Sequence, residues 1–227
     1  MEKRESLNKQ KEVKGKQEVE PIQKPSWLSN RAFDVIKLIL GICLLPFVYS
    51  STVSFLKQLN NINTTPQTYF WSGIIAFVLT YLFIFEPGWV YDGGHKILEF
   101  LFSFVQPLVK VAPYLLPIYL ITIFIVYLIL VVFIPSSRLI NLTMFLFGVS
   151  LALHLVFSSK AIRAKKGDIL KSNYIFGFSF VYIINLGLLA LFLNIIFNNF
   201  SFVSFCNDTH FLAGEIFRAI FRQLFKV

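Results

Sequence analysis

Runs of about twenty apolar residues, separated by short polar turns, dominate the chain. A run of this length crosses a hydrocarbon core of roughly 30 Å as an α-helix. The runs do not show the alternating polar and apolar positions of a membrane barrel. The pattern therefore predicts an all-α, polytopic integral membrane protein with about five transmembrane helices. They lie near residues 33–55, 69–85, 113–134, 139–157 and 174–197.

Residues 87–111 have an apolar stretch that is too short to span a membrane unaided. Gly93-Gly94 predicts a turn, and the residues from His95 to Val105 have helical character before Gln106-Pro107 ends the pattern. A re-entrant or interfacial helix, which dips into the membrane or lies on it, fits this segment better than a sixth crossing.

The last segment, residues 199–227, has a basic stripe opposite a row of apolar side chains. Arg218, Arg222 and Lys226 follow one another at four-residue intervals, which places them on one face of a helix. We expect an amphipathic C-terminal helix that lies on the membrane surface. The alternative is a helix that packs onto a partner or onto the protein's own outer side.

The distribution of charge predicts the orientation of the spans. The net charge of +9 is concentrated in residues 1–31, with eight Lys or Arg and five Glu, and in the loop 158–172. Basic segments favour the cytoplasmic side, and both reach it if residues 87–111 do not cross. The chain then divides into a disordered cytoplasmic tail (1–31), a transmembrane domain (32–198) and a C-terminal helix (199–227) that lies outside the cell.

Candidate chemistry lies in His95, Lys96 and Glu99, because ionisable groups at membrane depth are costly and often functional. A histidine and a glutamate four residues apart share a helix face, as in the zinc-protease motif H-E-x-x-H, but this chain reads H-K-x-x-E. His154 lies near the cytoplasmic end of its span and could join them. His95, Glu99 and His154 would then form a three-ligand zinc set with an open fourth position.

Other acidic residues could assist such a site, and one histidine is excluded from it. Asp92 and Asp168 are acidic reserves nearby, whereas His210 belongs to the opposite side of the membrane in this topology. The alternative is structural: a lone interfacial histidine, with Lys96 and Glu99 as an ordinary helical ion pair. The cysteines Cys43 and Cys206 are not expected to pair.

Several segments in order resemble a bacterial branch of site-2-protease-like membrane proteins. They are Gly94-His95-Lys96-Ile97-Leu98-Glu99, Ala112-Pro113-Tyr114-Leu115-Leu116-Pro117-Ile118-Tyr119, Gly148-Val149-Ser150-Leu151-Ala152-Leu153-His154, Gly167-Asp168 and Asn185. The resemblance implies that His95 matches the first ligand histidine and His154 a retained one. Lys96 replaces the catalytic glutamate and Glu99 the second ligand histidine, which implies a degenerate member without proteolysis.

The resulting hypothesis is a non-catalytic, site-2-protease-like protein of the cell membrane that acts as a subunit or binding partner. It needs no catalytic residue and no cofactor, and its partners are the lipid bilayer and another membrane protein, not nucleic acid. One alternative is a membrane-embedded zinc metallopeptidase that uses His95, Glu99 and His154. Another is a small transporter or channel component, for which the spans show no chain of carboxylates.

Overall fold

A computed structural model describes residues 27–104, 112–134, 136–164 and 174–225. The predicted tail at residues 1–31 lies outside the described residues except at its end, which begins the first helix. The chain divides into two compact units, Met1–Val35 and Ile36–Val227, and the helix packing described here lies within the second. The helices are α1 (Trp27–Leu59), α2 (Thr64–Leu79), α3 (Gly88–Leu101), α4 (Ile118–Phe133), α5 (Ser137–Ala164), α6 (Tyr174–Ile196) and α7 (Phe202–Phe225).

Four helices are long and apolar enough to cross a membrane, and the described residues contain no strand. These helices are α1, α2, α5 and α6, with α2 extended by a π-helical turn at Thr80–Ile84. The all-α, polytopic class predicted from the apolar runs is confirmed. The fourth predicted run, 139–157, lies inside α5, which extends it to Ala164.

The third predicted span is broken near its start. The helical conformation is interrupted at Leu116-Pro117, and α4, which follows, contains only 16 residues. Pro117 has no amide hydrogen and its ring clashes with the preceding turn, so a helix cannot run through it without distortion. The turn formed by residues 112–116 is therefore separate from α4, although both belong to one apolar run.

Helix α5 packs against α2, α3, α4 and α6 and is thus the centre of the bundle. Its closest contact is with α2, where Gly73 and Gly148 face each other's backbones. A Cβ atom at Gly148 would overlap the carbonyl oxygen of Phe70, and one at Gly73 would overlap that of Phe145. Small residues let membrane helices approach this closely, and the dense packing replaces the hydrophobic driving force that lipid cannot supply.

Helix α3 runs through Gly93-Gly94, so the predicted turn at these glycines is wrong. The reason is packing, because α3 lies against α4 at this point. A Cβ atom at Gly94 would come within 2.6 Å of the Ile118 side chain and 2.9 Å of the Tyr119 ring. The hydroxyl of Tyr119 donates a hydrogen bond to the carbonyl of Val90, which holds the two helices together.

Helix α7 folds back beside α1 and α6. The ring of Phe217 lies 5.9 Å from that of Phe47 on α1, and Asp208 accepts a hydrogen bond from Lys57 at 2.9 Å. Much of the apolar surface of α7 remains exposed, including Phe211 and Leu224. The helix is amphipathic as predicted and packs onto the protein's own helices along part of its length.

Candidate functional site

Three parts of the chain bring polar side chains together at one end of the bundle. Tyr91 and His95 come from α3, Tyr114 from the turn before α4, and His154 and Ser158 from α5. We call these five residues the histidine cluster. The Tyr91 ring lies between the two histidines, with ring centres 5.8 Å from His95 and 6.0 Å from His154. The two histidines, which the sequence predicted to lie near each other, thus both contact the ring of Tyr91.

Hydrogen bonds connect the side chains in the buried half of the cluster to one backbone carbonyl. The carbonyl oxygen of Tyr114 lies 3.2 Å from Nε2 of His154 and 3.2 Å from Oγ of Ser158. Because a carbonyl only accepts, its bond to His154 needs the tautomer with the proton on Nε2, and Ser158 donates its hydroxyl hydrogen to the same carbonyl. The Ser158 oxygen also lies 3.2 Å from Nε2 of His154. The hydroxyl of Tyr91, 3.2 Å from Ser158, then donates to the serine oxygen.

The helix break at Pro117 explains why these side chains are needed. The last carbonyls of a helical turn have no partner within the helix, and in hydrocarbon each unpaired group costs several kcal/mol. His154 and Ser158 bond to the carbonyl of Tyr114. Asn185 on α6 is fully buried and donates to the carbonyl of Leu115 at 3.1 Å. Asn185 thus joins α6 to the turn before α4.

The motif residues on α3 have different environments. Nε2 of His95 lies 3.5 Å from Oε1 of Glu99, and the His95 ring meets the Tyr114 ring edge-on at 4.7 Å between centres. About half of the Glu99 side chain (49%) is exposed, compared with 18% for His95. Lys96 is exposed. Helical spacing thus joins His95 and Glu99 as predicted, while Lys96 points away from them.

Within the ranges described, no three His, Cys, Asp or Glu side chains come together in a way that could hold a metal ion. The set of His95, Glu99 and His154 therefore stays a prediction. Nε2 of His154 donates to Tyr114, which leaves only Nδ1 for a metal as long as that bond lasts. Asp92 is exposed on α3, and Asp168 lies outside the described residues.

Three residues of the cluster were not predicted as site residues: Tyr91, Tyr114 and Ser158. The sequence could have indicated Ser158, since it follows His154 by four residues and so shares its helix face. Tyr91 precedes His95 by four residues and could have been found in the same way. Tyr114 contributes its backbone carbonyl, which no pattern of side chains can indicate.

Burial raises the pKa of Tyr91 to about 12, because the phenolate would lose its hydration inside the protein. We expect Tyr91→Phe to lower the free energy of unfolding by about 1 kcal/mol at neutral pH through the lost hydrogen bond to Ser158. The measurement is thermal unfolding of the purified protein in detergent, followed by circular dichroism.

The same substitution should change the response to alkali. Between pH 10 and 12 the unfolded chain releases the Tyr91 proton while the folded chain retains it, so stability falls as the pH rises through this range. Tyr91→Phe removes this contribution and should make the decline shallower. Equal slopes for the two proteins would show that Tyr91 titrates normally in the folded state.

Comparisons of this chain with protein-family models, with curated proteins and with solved structures find no match. They therefore identify no site-2-protease-like family, and that resemblance stays a prediction. The function has to be inferred from the residues of the chain and from their geometry.

Proposed function

We propose that this chain is a non-catalytic integral membrane protein that acts as a subunit or binding partner of another membrane protein. The hydrogen bond between His154 and the carbonyl of Tyr114 carries this proposal. It gives His154 a structural role, the pairing of a carbonyl at a helix break. Lys96, at the position where the general base of a metallopeptidase belongs, is an exposed cation and does not face His95 and Glu99.

A zinc metallopeptidase with altered ligands is the second candidate, because His95 and Glu99 are 3.5 Å apart. We expect no stoichiometric zinc in protein purified without chelators, as measured by inductively coupled plasma mass spectrometry. Glu99→Gln serves as the comparison, since it removes the carboxylate and retains the shape. Zinc at one equivalent that is lost in both Glu99→Gln and His95→Ala would contradict the non-catalytic proposal.

Helix α3 is the segment that we infer to meet the partner. It is too short to span, with 14 residues, and it carries large aromatic side chains that are mostly exposed: Trp89 (73%), Phe100 (80%) and Phe104 just beyond its end (81%). Aromatic residues are enriched in the centres of protein interfaces. They are also enriched at the membrane–water interface, so the test has to separate protein from lipid contacts.

A photo-crosslinking amino acid at Phe100 tests the partner contact in native membranes. We expect a discrete protein adduct from Phe100, and none from Val132 on α4, an apolar side chain of similar exposure (74%). Phe104 serves as a second position on the same surface. Lipid adducts alone from Phe100 and Phe104 would contradict a protein partner at α3.

The proposal includes an orientation in which the N-terminus is cytoplasmic and the start of α7 lies outside. Two ion pairs support the arrangement of the helix ends. Lys160, near the end of α5, bonds to Glu86, just before α3, at 2.6 Å, so the end of α5 and the start of α3 share one end of the bundle. Lys57 bonds to Asp208 in the second turn of α7, which places the start of α7 beside the end of α1. Phe217 lies beside Phe47, so α7 runs back along α1 towards its start.

Reporter fusions test this orientation. We expect a reporter after Lys166 to be active in the cytoplasm and one after Asn61 to be active outside. The physical reason is the retention of basic loops on the cytoplasmic side. An alkaline phosphatase fusion and a fluorescent-protein fusion are made at each position, and the activity of each reporter is measured. The reverse pattern would overturn the orientation.

A further inference from the structure

We propose that a groove between α1, α6 and α7 binds one acyl chain of a membrane phospholipid. The groove has a volume of about 450 Å³ and is open on one side. This volume falls within the range of pockets that bind small ligands, roughly 300–1,000 Å³. The inference is independent of the histidine cluster and of the partner proposed for α3.

The groove owes its depth to Gly187 in the middle of α6. A Cβ atom at Gly187 would meet no atom within 4 Å, in contrast to Gly73 and Gly148, where a Cβ atom would overlap a backbone carbonyl. Glycine weakens a helix interior relative to alanine, and at this position no close helix crossing explains it. The missing side chain leaves a concave surface among the other α6 residues of the lining, which are Ile183, Ile184, Leu188 and Leu191.

The lining of the groove suits hydrocarbon. Phe47, Leu191 and Phe205 form its apolar walls. The two hydroxyl groups in the lining are already paired within their own helices, since Ser51 donates to the carbonyl of Val48 and Thr209 to that of Phe205. A ligand here would need no hydrogen-bonding groups, because these hydroxyls require no further partner.

The position of the groove favours lipid as its occupant. Its walls continue into exposed apolar surfaces of two helices that can span a membrane, with Leu45 on α1 and Ile195 on α6 about half exposed. In a bilayer such surfaces face hydrocarbon. An empty groove would forfeit dispersion contacts on its walls, and an acyl chain is the molecule present along the whole length of these helices.

One imidazole also lines the groove. His210 is exposed, so its polar atoms need no partner inside the groove. The ion pair of Lys57 with Asp208 joins α1 to α7 outside this lining.

Photolabelling of the full chain in phosphatidylcholine vesicles tests the proposal. The probe is a phosphatidylcholine with a diazirine on one acyl chain, and adducts are mapped by mass spectrometry. We expect labelling of Leu191 and Cys206 to exceed that of Val132, on an exposed surface of α4, by about threefold, because a groove contacts a chain on several sides. Equal labelling of the groove residues and Val132 would show that the groove contacts lipid no more than an ordinary exposed surface does, and would overturn the proposal.

Gly187→Phe fills the groove and should reduce the labelling of Cys206 to about the level of Val132, since the phenyl ring occupies the space of the chain. Ile195→Phe, an increase in size at an exposed position of the same helix, should leave it unchanged. Circular dichroism and gel filtration confirm folding, and Gly187→Leu replaces the phenylalanine variant if that variant misfolds. Labelling of Cys206 that persists in the folded filled variant would overturn the proposal.

A second measurement uses the thiol of Cys206, in a Cys43→Ser background that leaves one cysteine. We expect phosphatidylcholine added to delipidated protein in detergent to slow the reaction of Cys206 with a maleimide, and Gly187→Phe to abolish this protection. Unchanged reactivity would contradict the proposal. Disulfide cross-links between two chains at Cys206, with no lipid adduct, would show that a second copy covers the groove instead.

Discussion

Replacing Gly148 with leucine should destabilise the protein more than any other single substitution considered, by at least about 3 kcal/mol. The new side chain would need the space occupied by the backbone of α2 at Phe70 and Ile74. A backbone cannot rotate away as a flexible side chain can, so α2 and α5 would have to separate. The measurement is unfolding in mixed detergent micelles with increasing SDS, followed by circular dichroism.

Gly187→Ala provides the matched control for this substitution. Both glycines lie inside helices that are long and apolar enough to span a membrane, but the space beside Gly187 is open. Alanine favours the helix by roughly 0.5–1 kcal/mol over glycine, so Gly187→Ala should be neutral or slightly stabilising. Similar losses in the two variants would show that helix flexibility, not the close crossing of α2 and α5, determines the effect of Gly148.

Asn185→Leu should have the second largest effect, a loss of about 1–3 kcal/mol in the free energy of unfolding. Leucine is close to asparagine in size, so packing is largely kept while the hydrogen bond to the carbonyl of Leu115 is lost. That carbonyl lies beside the helix break at Pro117, and Asn185 is fully buried, so no water replaces the lost donor. The SDS-unfolding measurement used for Gly148 applies.

Asn194→Leu is the control on the same helix. The side chain of Asn194 is exposed and accepts a hydrogen bond from the amide of Phe202 at the start of α7. Water can satisfy this amide when the asparagine is lost, so the expected change is below about 1 kcal/mol. If Asn194→Leu were as damaging as Asn185→Leu, the argument from the buried carbonyl would be wrong.

The backbone carbonyls at the helix break receive their hydrogen bonds from other helices of the bundle. Pro117 interrupts an apolar run that the sequence predicts to be one span, and the interruption leaves carbonyls without partners in their own helix. Two helices supply donors from distant positions, His154 and Ser158 on α5 and Asn185 on α6. The histidine that resembles a metal ligand is thereby explained by the broken helix beside it.

The sequence by itself determined the class of the protein, because length and apolarity of a segment are local properties and the hydrocarbon core accepts few backbone structures. It also determined which residues share a face, and so paired His95 with Glu99 at four-residue spacing. The prediction of a turn at Gly93-Gly94 is wrong because a glycine in a sequence is compatible with two structural roles. It permits unusual backbone angles, and it permits close contact, here with α4.

Only the tertiary structure decided what the polar residues do, because their partners lie far away in the chain. Gly148 and Gly187 are the same residue in similar helices, and one closes a helix crossing while the other opens a groove. His154 meets a backbone carbonyl 40 positions earlier. The identity of a residue gives its bonding capacity, whereas the neighbour that uses this capacity depends on how the helices pack.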